Sequence, residues 1–469
     1  MKNFYITTTL PYVNADPHIG FALEIIQADA IARYKKISGY DVCFNFGTDE
    51  HGLKIYRKAQ ETHKTPQAFC DEYARKFSLL KDALNLSYTN FVRTTDKYHI
   101  EAAREFWLRC LANGDIYKKN YAIKYCVGCE LEKTDSELIN GLCQIHPNLK
   151  LEIIDEENYF FRFSKYQKPL LSLYEKNPSF VLPKIRLNEI YKFVKQGLED
   201  FSISRLKTKM PWGIEVPNDS DHVMYVWFDA LINYVSTIGW PKNQKQFSKW
   251  WPVTQIAGKD NLRQQSAMWQ AMLLSANLPN SQQILIHGFI TSDGRKMSKS
   301  LGNVVNPFDL VKKYGTDPIR YYLLSEIPTF DDGNFSEKIF KEIYNADLAN
   351  GLGNLIARVA KLSQNLQFKF DKPEFSPEFI KILNNFELNK GMTLIWNKIR
   401  NLDLYINHHE PWKIKDNLEL AKILQPAVAQ ILNIAFELQP FLPVTSQKIL
   451  AQFLASKITV QPPLFPRLN

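Results

Sequence analysis

The first 52 residues constrain the fold more than any other stretch of this chain. Phe4 to Thr8 reads as a strand. After His18, apolar residues at Phe21, Ile25, Ala28 and Ala32 recur at helical spacing, and Ser38-Gly39 closes that run. Asp41 to Phe46 then alternates Val42, Phe44 and Phe46 as a second strand, which ends in Gly47-Thr48-Asp49-Glu50-His51-Gly52. This is a βαβ unit with its polar residues gathered at the strand's carboxyl end, where open α/β sheets bind ligands. Pro17-His18-Ile19-Gly20 opens the helix. The histidine, the bare glycine and the unsatisfied N–H groups of the first turn point to one place, suited to a nucleotide phosphate.

A second signature lies far downstream. Lys296-Met297-Ser298-Lys299-Ser300 forms a doubly cationic loop bracketed by Gly294 and Gly302. Two lysines on such a loop suit a triphosphate whose negative charge rises during reaction. A net charge of +9 fits a polyanionic partner without requiring one. Met1-Lys2-Asn3 leads into a β-like run and not into an apolar leader, so a cytoplasmic protein is expected. The most apolar late stretch, Ile423 to Phe436, is interrupted by Gln425, Pro426, Gln430 and Asn433 and reads as a buried bundle helix, not a membrane span.

The pattern divides the 469 residues into four parts. Residues 1–115 alternate strand and helix, 116–218 hold short strands, cysteines and charged turns, and 219–335 return to βα alternation. Residues 336–469 are almost wholly helical in pattern, with a break at Pro411. Within the second part, Cys126-Val127-Gly128-Cys129 is followed by Cys143-Gln144-Ile145-His146. Two such pairs joined by a short loop match a closed Cys₃His zinc knuckle, with Cys126, Cys129, Cys143 and His146 as ligands and no open position for catalysis. Cys43, Cys70 and Cys110 stand in apolar surroundings and read as reduced core thiols.

In this order and spacing, the two signatures resemble the HIGH and KMSKS motifs of class I aminoacyl-tRNA synthetases. Leu10-Pro11-Tyr12-Val13-Asn14, residues 47–52, Tyr225-Val226-Trp227-Phe228-Asp229-Ala230 and Ile286-His287-Gly288 narrow the resemblance to the methionyl-tRNA synthetase family, across essentially the whole chain. The resemblance implies a Rossmann-type catalytic domain (1–115 and 219–335) split by a zinc-bearing insertion (116–218), then an all-α anticodon-binding bundle (336–469). It implies that ATP with Mg²⁺ activates L-methionine to methionyl-adenylate, and that methionine then passes to the 3′ end of tRNA(Met). His18, Gly20, Lys296, Ser298 and Lys299 would hold ATP, with His18, Lys296 and Lys299 stabilising the charge that develops.

A methionine site needs one carboxylate for the ammonium and soft apolar walls for the thioether. By motif match Asp49 takes the ammonium, Leu10, Trp227, Leu231 and Ile286 form walls, and Tyr12 and Tyr234 close the site, with His287 alongside. The Tyr234 hydroxyl is a candidate donor to sulfur. Asn354, Arg358 and Trp412 resemble the family's anticodon readers, and an amide, a guanidinium and an indole suit splayed bases. The knuckle would stiffen the insertion over the tRNA acceptor end. Nothing after the helical part resembles a dimerisation domain, so a monomer is expected.

Two positions depart from the family pattern. Phe21 replaces the last histidine of the first signature, and Gln264-Gln265 stands where relatives carry Phe-His. These departures keep a catalytically silent tRNA-binding protein open as an alternative. A class I synthetase for another apolar amino acid is disfavoured, because residues 116–218 leave no room for the large editing insertion of those enzymes.

Overall fold

The computed structural model describes residues 2–129, 131–133, 138–297 and 302–468. They form two compact units, each assembled from separated stretches: Met1–Pro17, Asp41–Leu79 and Tyr88–Ile286 in the first, His18–Tyr40, Leu80–Ser87 and His287–Asn469 in the second.

The first unit is built on a six-stranded sheet. Its strands are β1 (Asn3–Thr7), β2 (Asp41–Thr48), β3 (Asn90–Arg93), β4 (Val181–Leu182), β5 (Thr254–Gly258) and β6 (Gln283–His287), in the spatial order β3-β2-β1-β5-β6-β4. The chain passes from β1 through helix α1 (Ile19–Ile37) to β2, which pairs parallel to β1 in the register Asn3↔Asp41 to Thr7↔Asn45. The βαβ reading of the first 52 residues therefore holds, with the helix extended to 19 residues. Helix α2 (Lys97–Ala112) carries Phe106 and Trp107 into the core. There they meet Phe228, Trp240 and Trp269 in edge and stacked ring contacts. Rings of opposite edge and face polarity favour these tilts.

The stretch 116–218 contributes an antiparallel ribbon, Ile116–Cys126 against Glu152–Phe161, with Leu131–Lys133 on one side and Phe201–Ser202 on the other. One piece of it serves the main sheet: β4 pairs parallel to β6 through Val181↔Ile284 and Leu182↔Leu285. Two residues are too few to show a period-2 pattern, so nothing in the sequence marks this edge strand.

In the second unit α1 is anchored by a buried ion pair. Arg320 and Asp29 are fully buried, with Arg320 Nη2 2.8 Å from Asp29 Oδ2. The same guanidinium donates to the carbonyls of Phe441, Leu84 and Pro440, and Asp29 also accepts from Arg33 and Ser87. Burial opposes the Asp29 charge, but Arg320 and Arg33 overcome it and hold the carboxyl below its ordinary range. A buried pair survives only when its remaining hydrogen-bonding capacity is met, as it is here. Beyond residue 336 the unit is helical as expected, including Asn354–Ser363, Leu388–His409 and Asn417–Leu438, the last containing the apolar stretch 423–436. Among the described residues no helix is long and apolar enough to cross a membrane.

Candidate functional site

The phosphate-side candidates lie in the second unit. His18 caps α1 in an extended conformation, and its Nδ1 accepts the Gly20 N–H at 3.1 Å. That bond leaves Nε2 as the protonated nitrogen of the neutral ring, a donor at the helix N-terminus. Burial pushes the His18 pKa down from 6.5 to about 4, so the ring is neutral at pH 7. A Cβ at position 20 would fall 2.8 Å from His18 Cε1, which is why glycine is needed there. Phe21 packs on the imidazole with ring centroids 4.2 Å apart. It supports the histidine's orientation and adds to its desolvation.

The Ile19 N–H donates to the Val305 carbonyl at 2.9 Å, tying the helix start to the chain just past the lysine loop. The loop leaves the strand Ile290–Ser292 through a turn at Asp293-Gly294, and Lys296 stands exposed on it. Ser298 and Lys299 lie outside the described residues. His287 also belongs to this unit, where Nδ1 meets the Gly288 carbonyl at 2.7 Å and Nε2 meets Glu24 of α1 at 2.9 Å. Ile286 and His287 are consecutive on a strand and face opposite ways. His287 thus pairs with Glu24, a residue the sequence reading missed.

The other methionine-side candidates lie in the first unit. Asp49 is buried just beyond β2. Backbone bonds Asp49 N–H to Pro11 and Val13 N–H to Asp49 lash it to the segment holding Leu10 and Tyr12. The motif's second acid does different work: the Glu50 carboxylate is buried and accepts from Arg93 at 2.6 and 2.8 Å, from Thr48 and from Thr95. Tyr12 and Trp227 pack on the small cluster Tyr125, Tyr225 and Val226. The Trp227 Nε1 is buried with no hydrogen-bond partner among the described residues.

Leu231, Tyr234 and Ile286 belong to the large core with Tyr5 and Trp269. Trp227 and Tyr234 do not share one helix: helix α3 (Val226–Ala230) ends, a turn follows, and Asn233–Ser236 begins a new one. The Tyr234 hydroxyl accepts from the Gln265 amide at 2.8 Å. Gln265 accepts from Gln255, which accepts from Ser281. The departure at 265 therefore closes a buried amide chain behind Tyr234.

Cys126, Cys129, Cys143 and His146 converge as their spacing implies, with ligand atoms all within 4.8 Å of one another. Cys129 Sγ lies 3.4 Å from Cys143 Sγ, far beyond a disulfide bond, and 3.1 Å from His146 Nδ1. Three thiols and an imidazole at this separation can hold one tetrahedral ion. Gly128 makes room: a Cβ there would meet the His146 ring at 2.6 Å.

Asn354 is exposed at the start of its helix, after a π-helical turn over Tyr344–Gly353. Arg358, one turn on, is held by Asp403 and Asn407, each at 2.7 Å. Its guanidinium lies 5.6 Å from the centre of the Trp412 ring, which is 50% exposed. Glu410, at φ 39°, turns the chain so that Pro411 starts a short helix and the indole stays outside. Asp403 and Asn407 escaped the sequence reading because they sit on a different helix.

Residues 4–146 and 129–360 match the family model of tRNA synthetases class I (M). The methionine–tRNA ligase of Thermotoga maritima is 41% identical over 95% of this chain and 74% of its own length. That of Nostoc sp. is 41% identical over 96% of this chain and 90% of its own. Among solved structures, Mycobacterium tuberculosis methionyl-tRNA synthetase in complex with methionyl-adenylate superimposes with a TM-score of 0.91 at 34% identity, covering 100% of both chains.

Proposed function

The chain belongs to the class I tRNA synthetases (M), and we propose that the residue groups described above serve the substrates of a methionine–tRNA ligase one by one. The enzyme activates L-methionine with ATP and charges tRNA with it. A silent tRNA-binding role, or another apolar amino acid, is not favoured.

In the proposed chemistry, a carboxylate oxygen of methionine attacks the α-phosphorus of ATP and pyrophosphate leaves. No protein nucleophile is needed, so the protein acts by positioning and charge. Asp49 takes the ammonium, while Leu10, Tyr12, Trp227, Leu231, Tyr234 and Ile286 surround the side chain, with His287 alongside. His18 donates from Nε2 to a phosphate oxygen, Gly20 lets the nucleotide approach the backbone, and Lys296, Ser298 and Lys299 accompany the leaving pyrophosphate. Mg²⁺ arrives with ATP as part of the substrate. The observation that carries this reading is the bond from Gly20 N–H to His18 Nδ1, which aims a neutral N–H donor from the N-terminus of α1. Methionine-dependent ATP–pyrophosphate exchange tests it. Exchange with methionine alone among the apolar amino acids supports it, and no exchange with any amino acid would sink it.

Cys126, Cys129, Cys143 and His146 would hold one structural Zn²⁺, stiffening the insertion proposed over residues 116–218 for contact with the acceptor end. Metal analysis should return close to one zinc per chain. Cys126→Ser should lower zinc content and tRNA charging more than adenylate formation, because the knuckle serves the insertion and not the adenylate site. Full zinc occupancy in that variant would remove Cys126 from the ligand set.

Residues 336–469 are proposed to read the anticodon of tRNA(Met) through Asn354, Arg358 and Trp412, in a monomer working in the cytoplasm. Trp412→Ala should weaken charging by about 1–3 kcal/mol, the usual worth of a base–aromatic stack, and leave pyrophosphate exchange unchanged. Loss of exchange together with charging would place Trp412 in the scaffold instead.

A further inference from the structure

Asp229 is a fully buried acid of the first unit that the proposed chemistry does not use. Its side chain has no exposure, and each oxygen meets one histidine: Oδ2 lies 2.6 Å from His51 Nδ1, and Oδ1 lies 2.8 Å from His99 Nε2. His99 is itself fully buried on α2, and its Nδ1 lies 3.0 Å from the Ser236 hydroxyl. The directions follow from this geometry. A carboxylate can only accept, so His51 donates from Nδ1 and His99 from Nε2. Burial opposes the Asp229 charge, and His51 and then His99 overcome it, so the carboxyl stays below its ordinary range.

Two of the elements this carboxylate joins, the segment after β2 and α3, carry methionine-side residues, and the third, α2, reaches the short helix of Tyr234 through His99 and Ser236. His51 stands two residues after Asp49. Its carbonyl accepts from the Tyr12 hydroxyl, and Trp212, which donates to the Glu50 carbonyl, leans on its ring at 5.5 Å. Asp229 stands two residues after Trp227 on α3, directly before the turn to Leu231 and Tyr234. Ser236 closes the second short helix, where Asn233 is bound to Asn45 of β2. Asn45 of β2 also reaches this helical turn, through Asn233 and Thr237.

We propose that Asp229 is a positioning residue: through His51 and His99 it sets the separation between the ammonium acceptor Asp49 and the thioether walls Trp227, Leu231 and Tyr234. This rests on the methionine reading above. Both oxygens are engaged and buried, so Asp229 touches no substrate and acts only through its partners. A carboxylate is needed because two N–H groups converge on it. Asparagine offers one acceptor and one donor, so one histidine would face an N–H and turn or withdraw.

The test is pyrophosphate exchange by the full chain, varying methionine at saturating ATP and then the reverse. Asp229→Asn is expected to raise KM for methionine at least tenfold while KM for ATP stays within twofold and kcat within threefold. His51→Asn keeps an N–H near the Nδ1 position and should hold KM for methionine within threefold of wild type, whereas His51→Leu should match Asp229→Asn. The double variant Asp229→Asn/His51→Leu should be no worse than either single change. Equal effects on both KM values, or equal behaviour of His51→Asn and His51→Leu, would overturn the proposal. If Asp229→Asn does not fold, the two His51 variants decide alone. Wild-type protein without methionine-dependent exchange would overturn the methionine reading itself, a different failure from active variants that cannot be told apart.

Discussion

Asp49→Asn should lower kcat/KM for methionine in pyrophosphate exchange by about 2–5 kcal/mol, the range for removing one partner of a buried charge pair. Asp49 is 5% exposed, and its backbone is held on both sides by the Leu10–Val13 segment. Asparagine therefore keeps the volume and the place while removing the charge proposed to face the substrate ammonium. An ammonium taken out of water against a neutral amide loses most of what offsets its desolvation. ATP affinity should be little changed. If Asp49→Asn activates methionine within a few-fold of wild type, the ammonium is held elsewhere and the proposed site is misplaced.

His18→Ala should slow exchange by a factor on the order of 10²–10³, as the loss of one transition-state donor does. The argument rests on a neutral ring. With its pKa pushed down by burial to about 4, His18 is neutral at pH 7, and its proposed role is that of an N–H donor and not of a cation. A group already neutral at pH 6 loses no proton as pH rises to 8, so His18 should impose no fall in rate across that window. A histidine of ordinary pKa near 6.5, acting as a cation, would lose its charge and its effect there. An NMR titration of the His18 ring with a midpoint near 6.5 would defeat the neutral-donor assignment. Phe21→His should not raise turnover tenfold, because position 21 packs against the His18 ring at 4.2 Å and a new donor there lacks a site preorganised to use it. A large gain would mean that the natural chain is a weakened synthetase.

The parts of this protein legible in the sequence are those whose signal is local. The βαβ start shows because apolar residues repeat every two positions in β2 and every three or four in α1, and those periods follow from backbone geometry alone. The cysteine–histidine knuckle shows because two short-spaced pairs must each bite one ion, so its spacing is its geometry. Asn354 and Arg358 share a helix face because they are four apart. Tertiary structure alone decided the rest. It joined α1 to Leu80–Ser87 and the C-terminal helices through Asp29 and Arg320, drew Val181–Leu182 into the main sheet, and turned His287 toward Glu24. It also placed Gln265 behind Tyr234, and gathered His51, His99 and Asp229 around one buried charge. Such partners are brought together by chain folding across long separations, and a single buried polar residue leaves no periodic trace. Its reason for being there is the hydrogen bond it completes, and that bond exists only once the core has closed around it.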